Sequence, residues 1–379
     1  MTGLDGKRVY LDWNATAPLR PEARAAMLAA MDQVGNPSSV HAEGRAAKKI
    51  IEKARGQVAA LVGCDASELV FTSGATEAAA TPLYEQIRVC FSGSCLEHDA
   101  VLARIGTFDW SVGESGAVQR FKDDAPYAFQ AWEDELALTL ANGEIGTLQP
   151  VAEIVEDYQE AARTPIVLCD VTQAAAKVEF KLSQLNVDFA CLSAHKFGGP
   201  KGVGALYARS GSELGEPLAA GGGQEKGRRS GTENVIGIAG FGAAAEAAQR
   251  DLETGVWHQV EKLRNILENT LAEAVPETIF FGQESPRLPN TSCFAVPGWK
   301  GETQVMQMDL AGFAISAGSA CSSGKVNKAS RVLLAMGFDE VTASSAIRVS
   351  MGPTTTEAEV MAFAQTWIDH YNRRKSRAA

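Results

Sequence analysis

The sequence predicts an α/β protein, with a large three-layer α/β domain around a mostly parallel sheet and a smaller α+β domain. Short apolar runs alternate with amphipathic stretches over most of the chain, the signature of strand–helix–strand units. Near Thr254 the texture changes to one long amphipathic segment followed by alternating apolar strands. A length of 379 residues is ample for two cores. On these grounds residues 15–255 are assigned to the large domain, and residues 1–14 with 256–379 to the small one.

From Pro21 to about Val62, the Ala-rich segments PEARAAMLAAMDQV and AAKKIIEKARGQVAALVG read as two helices separated by the polar loop GNPSSVHAEGR. ELVFTSGATEAAA reads as a short strand running through a glycine turn into a helix. LALTLAN, PIVLCD, DFACLSAHK and GALYAR are short apolar runs of the kind that buried strands show, and VAEIVEDYQEAAR is a helix between two of them. VWHQVEKLRNILENTLAEAV is a long amphipathic helix; NTSCFAVPG and AGFAISAG are strands, and two further helices complete the small domain.

The net charge of −11 argues against nucleic acid or an anionic membrane as the main partner. No uncharged apolar run reaches about 20 residues, so no membrane span is expected. The N-terminal segment lacks a charged-then-apolar leader pattern, and the expected address is the cytoplasm. Seven cysteines, an odd count without a CxxC pair, indicate reduced thiols. Cys169 and Cys191, in apolar runs, are expected to be structural. The histidines show no metal-ligand spacing, and no metal is expected.

Four features carry chemistry. FTSGATEAAA brings a glycine turn and a helix start together, so that backbone N–H groups and the Thr76 hydroxyl form an anion cup; an ordinary capped helix reads the same way. Asp170 closes the run PIVLCD, where a parallel strand would point a carboxylate into the ligand crevice; a turn aspartate is the plainer alternative. Gln173, three residues on, can face the same crevice. LSAHKFGGPKGVG ends an apolar strand in Ser193, His195 and Lys196; a desolvated strand-end lysine suits Schiff-base chemistry, whereas a loop lysine such as Lys201 would be solvated. AAGGGQEKGRRSGTEN offers Arg228, Arg229 and Thr232 as phosphate ligands, or is simply a solvated loop. Together the four supply a phosphate cup, a buried carboxylate and a lysine, the parts that hold pyridoxal 5'-phosphate.

In this combination the chain resembles the NifS/IscS-type (type I) cysteine desulfurases of the class V aminotransferase superfamily. The resemblance runs from VYLDWNATAP to SSAIRVSMG through GNPSSVHAEGR, VFTSGATEA, EHDAVL, NGEIG, CDVTQ, SAHKFGGPKGVGALY, GGGQEKGRRSGT and SAGSACSSG, in family order. It implies the PLP-dependent fold type I (aspartate aminotransferase-like). Lys196 matches the Schiff-base lysine, Asp170 the partner of the pyridine nitrogen, and Gln173 the donor to the ring's phenolic oxygen. His98 matches the histidine stacked on the ring and a candidate for proton transfer. Ala75, Thr76, Ser193 and His195 match the phosphate-binding groups. Thr232 matches a phosphate contact supplied by the neighbouring subunit, which implies a homodimer. Arg348 matches the arginine that grips the substrate carboxylate; a domain-bridging ion pair is its structural alternative. Cys321, surrounded by small residues, matches the nucleophile that takes sulfur from L-cysteine as a persulfide and delivers it to an acceptor protein such as an iron–sulfur scaffold.

The chain departs from the family pattern at three places. Gly143 stands where NNE carries its second Asn, Ala80 replaces a helix asparagine, and Ala194 turns SGH into SAH. The segment between Thr76 and His98 is also short. These departures keep two other readings in view, a selenocysteine lyase or related class V enzyme and a low-turnover PLP-binding partner protein.

Overall fold

The computed structural model describes residues 3–4, 6–84, 91–103, 105–120, 135–160, 164–212, 214–318 and 329–378. Its centre is an eight-stranded mixed sheet. In spatial order the strands are Leu69–Thr72, Gly204–Ala208, Phe189–Ser193, Ile166–Asp170, Glu135–Thr139, Phe91–Ser94, Ile105–Val112 and Val118–Arg120. The run from Phe189–Ser193 to Ile105–Val112 is parallel throughout, whereas Gly204–Ala208 and Val118–Arg120 run antiparallel to their neighbours.

Alternation along the strands sorts side chains onto two faces. Leu69, Phe71, Leu136, Leu138, Val167 and Leu192 pack toward helices Ala42–Val62, Val151–Glu160 and Val235–Glu253. Val70, Ala137, Leu168 and Leu206 pack on the other face with Ala78 and Ala79 of helix Ala75–Tyr84. The result is three layers, with the carboxyl ends of the parallel strands opening on one edge.

A second core gathers Trp257, Leu267 and Leu271 from helix Val256–Ala274 and Phe363, Trp367 and Tyr371 from helix Glu357–Ala378. These helices pack with a four-stranded sheet ordered Ile279–Phe280, Thr291–Ala295, Ala346–Ser350, Ser316–Ala317. AGFAISAG is not one strand. Phe313–Ala314 pairs in parallel with Val9–Tyr10, while Ser316–Ala317 joins the four-stranded sheet, because its two halves find different partners.

Helix Val235–Glu253 carries no strong amphipathic signal, because its face is mostly alanine and glycine. Those small residues permit close contact: a Cβ on Gly242 would lie 2.5 Å from Ala54 Cα. Just before this helix, Glu225 and Lys226 both take left-handed backbone angles (φ 48° and 59°), a costly conformation for residues with side chains. Glu225 is held there by a buried bidentate pair. Arg55 Nη1 and Nη2 donate to its two oxygens at 2.7 and 2.8 Å, and the Phe71 N–H donates at 3.0 Å. Removing Arg55 would strand a buried carboxylate. Arg55→Met is expected to cost about 3–5 kcal/mol in urea denaturation; a loss under about 1 kcal/mol would show that the pair does not hold this loop.

Candidate active site

A cleft of about 850 Å³ opens at the carboxyl ends of the parallel strands, the place where open α/β sheets bind ligands. Strand Ile166–Asp170 delivers Asp170 to its floor, where one carboxylate oxygen accepts from the Thr172 N–H at 2.9 Å. Strand Phe189–Ser193 runs into the turn Ala194–Lys196, which places Ser193, His195 and Lys196 on the same wall. Lys196 Nζ donates to the carbonyls of Asn14 (2.8 Å) and Ala15 (3.0 Å). The start of helix Ala75–Tyr84 brings Ala75 and Thr76 into the lining. A Cβ on Gly74 would meet nothing nearer than Ser193 Oγ at 4.0 Å, so the cup before this helix is open.

His98 is exposed to the cleft and caps the short helix Asp99–Leu102, its Nδ1 accepting from the Ala100 N–H at 3.1 Å. That bond makes Nε2 the proton-bearing nitrogen of the neutral ring. His195 Nδ1 contacts Thr16 Oγ1 at 3.1 Å. Burial, followed by Lys196, Lys201 and Lys177, pushes its pKa down to about 4, so the ring is neutral at neutral pH. Gln173 points its Nε2 at the Asn14 carbonyl (3.0 Å).

Arg348, on strand Ala346–Ser350, reaches the cleft from the second sheet. Its Nη1 donates to the Gly143 carbonyl at 2.9 Å and its Nη2 to Asp12 at 2.8 Å, so the guanidinium also bridges the two halves of the molecule. Thr232 is exposed and outside the lining of this cleft. Arg228 and Arg229 do not form a phosphate grip here. Arg228 donates to the Leu69 carbonyl and Arg229 pairs with Glu77 at 2.9 Å, so both guanidiniums serve the loop itself. Cys321 lies outside the described residues. Of the departures, Ala80 is buried outside the cleft lining and Ala194 packs beneath Gly199, whereas Gly143 lines the cleft.

Sequence reasoning missed several polar residues at this site. Asn14 is buried and contacts both lysine-bearing walls. Glu97, the neighbour of His98, is buried near Asp170; desolvation and then the Asp170 charge raise its pKa well above the carboxylate range. One Glu97 oxygen accepts from the Thr139 N–H at 3.0 Å, and the other has no partner. Burial thus favours the protonated form of Glu97. Lys177 is buried below Gln173. The available signal was a lone charge inside a run of apolar and small residues, SCLEH for Glu97 and TQAAAKV for Lys177. The thiols of Cys169 and Cys191 are pushed well up by burial and the Asp170 charge and stay protonated. Among the described residues, no His/Cys/Asp/Glu cluster could hold a metal ion, and no helix is long and apolar enough to cross a membrane.

The lining fits pyridoxal phosphate. It offers an amine at a strand end, a carboxylate facing it across the floor, an amide donor between them, and an open helix start for a phosphate. With the mixed sheet and the smaller second core, this defines the class: pyridoxal-phosphate-dependent enzymes of fold type I. The chain belongs to the aminotransferase class-V family, whose model matches residues 9–95 and 115–363. It is 40% identical over 368 residues to a cysteine desulfurase of Cereibacter sphaeroides, covering 93% of each chain. A solved structure titled NifS-like protein superposes with a TM-score of 0.86 at 33% identity, covering 96% of this chain and 99% of that one. A second, titled SspA in complex with cysteine, gives 0.74 at 27% identity over 92% and 99%.

Glu144, in the NGEIG segment, supplies a pH test. Burial raises its pKa to about 7, against the Ser330 hydroxyl that donates to it and the nearby Arg348 and Arg331. Between about pH 4.5 and 7 the folded protein keeps a proton that the unfolded chain has released, so this group lowers stability as pH rises through that window. Glu144→Gln removes the effect. Relative to wild type, its unfolding free energy should rise by roughly 3 kcal/mol from pH 4.5 to 7.5; parallel pH curves for the two proteins would refute the assignment.

Proposed function

We propose that this chain is a PLP-dependent cysteine desulfurase that converts L-cysteine to L-alanine and leaves the sulfur as a persulfide on Cys321. The observation that carries the reading is the meeting of Lys196, Asp170 and Gln173 at the strand ends of one cleft, in a chain similar along nearly its whole length to cysteine desulfurases. Bound pyridoxal phosphate supplies an electron sink for cleavage of bonds at the substrate's reacting carbons.

The chain's own groups divide the remaining work. Lys196 Nζ is the amine that holds the cofactor covalently and then exchanges protons with the substrate. Asp170 would hold the pyridine nitrogen in its protonated form. Gln173 Nε2 donates to the phenolic oxygen. The phosphate binds at Ala75 and Thr76 with Ser193 and the uncharged His195. His98 Nε2 carries a proton at the cleft face. Arg348, oriented by Asp12, binds the substrate carboxylate as a planar two-pronged donor. Cys321 attacks as a thiolate, and its sulfur accepts the substrate's sulfur as the C–S bond breaks.

Thr232 is exposed and does not line its own chain's cleft, which supports a homodimer in which it completes the partner's phosphate site. We divide the chain into a large domain at residues 15–255 and a small one at 1–14 with 256–379; the separate clusters around Leu136 and around Trp367 support this division. We assign the protein to the cytoplasm and to sulfur delivery toward an acceptor protein such as an iron–sulfur scaffold.

The test is direct. Purified protein should show the visible absorbance of bound cofactor and release alanine from L-cysteine with persulfide on Cys321. Cys321→Ala should keep the absorbance and lose at least about 100-fold in sulfide release; Lys196→Ala should lose the absorbance. Undiminished sulfide from Cys321→Ala, or an unchanged band in Lys196→Ala, would remove the corresponding role.

A further inference from the structure

Lys177 has no place in the scheme above, yet it is a lysine only 3% exposed. Its Nζ donates to Gln173 Oε1 at 2.6 Å and to Asn14 Oδ1 at 3.0 Å. Neither partner is a carboxylate. The charges that act on it are those of Lys196 and Arg348, both cations. Burial, reinforced by these two charges, lowers its pKa well below the usual lysine value. The turn that places it includes Ala176 in the left-handed region, φ 69°. A buried amine without a counter-charge, set in a strained turn, is an expensive way to fill space.

We propose that Lys177 is a positioning residue that fixes which end of the Gln173 amide faces the cofactor. Its Nζ donates to both partners: as an ammonium it can only donate, and as a neutral amine its two N–H groups serve the Asn14 and Gln173 oxygens, so Gln173 turns its oxygen toward Lys177. The Gln173 NH₂ is then forced outward as a donor, on the line it now makes to the Asn14 carbonyl. Asn14 cannot flip to relieve the arrangement. Its Oδ1 also accepts from Asn290 Nδ2 (3.0 Å), and its Nδ2 donates to the Gly143 carbonyl and Thr291 Oγ1. Without Lys177, either end of the Gln173 amide could face the cleft, and the carbonyl end would repel an anionic ring oxygen.

The inference rests on the cofactor reading, and the experiment separates the two. Holoenzyme, Lys177→Met, Gln173→Ala and the double variant are titrated with pH while the visible cofactor band is followed without substrate. Borohydride reduction and peptide mapping then locate the bound cofactor. If the wild type shows no band, the cofactor reading fails; if reduction labels Lys177 instead of Lys196, the positioning role fails. The expected result is cofactor on Lys196 throughout. Losing a donor to the anionic oxygen favours the protonated form, so each single variant should shift the band's midpoint upward by about one pH unit. The double variant should shift no further, because both changes remove one interaction. An unmoved midpoint in Lys177→Met, or additive shifts, overturns the proposal. Neutron diffraction of wild-type crystals tests it independently of variant folding: the Gln173 deuterons must lie on the cleft side, and the opposite orientation overturns it.

Discussion

The site is organised around one buried asparagine. Every polar atom of Asn14 is committed. Its N–H donates to Ser350 Oγ, and its side-chain NH₂ to the Gly143 carbonyl and Thr291 Oγ1. Its side-chain oxygen accepts from Lys177 and Asn290, and its carbonyl from Gln173 and Lys196. These partners come from the segments that follow strands of the eight-stranded sheet (Gly143, Gln173, Lys177, Lys196) and from the four-stranded sheet and its edge (Asn290, Thr291, Ser350), so a single residue ties the cleft floor to the wall that carries Arg348. A fully satisfied buried polar network of this kind has one low-energy arrangement, because any member that turns leaves another unpaired.

Buried charge around the cleft is handled in two ways. Arg348 at the cleft is paired with Asp12, as Arg55 is with Glu225 beneath the neighbouring loop. Glu97, Glu144 and His195 have pKa values shifted toward the neutral form, in each case chiefly by burial. Lys177 is shifted in the same sense. The consequence is selective. At neutral pH the open helix start at Ala75 meets an uncharged His195 imidazole, and burial pushes Glu97, beside Asp170, toward its protonated form.

The α/β layering, the strand-end positions of Asp170 and Lys196, and the helix start at Ala75 were legible in the sequence, because each is local: an apolar run followed by a polar residue or a glycine turn. The strands Phe91–Ser94, Ile105–Val112 and Val118–Arg120 were not read; FSGS, for one, carries no β-branched residue or alternation to mark it. Helix Val235–Glu253 escaped for the opposite reason, its glycines marking helix contact, which a propensity argument counts as weakness. Asn14, Glu97 and Lys177 were illegible as site residues because their roles depend on partners up to 336 residues away. A lone polar residue in an apolar run signals burial, but not what it will meet.

Gly143 illustrates how a departure from a motif is absorbed by its surroundings. A Cβ at this position would lie 3.0 Å from Gln173 Nε2 and 3.1 Å from its Cγ, tighter than ordinary packing. A larger side chain at 143 and the present Gln173 geometry therefore compete for one space. The missing asparagine is replaced by main chain: the Gly143 carbonyl accepts from Arg348 Nη1 and from Asn14 Nδ2. A backbone acceptor positions the guanidinium but cannot donate to a substrate carboxylate, as an asparagine NH₂ does. Gly143 thus leaves room for the fit among Gln173, Asn14 and Lys177. Under the proposed function, recognition of the substrate carboxylate would fall more heavily on Arg348, and retention of the cofactor oxygen on the Gln173 amide.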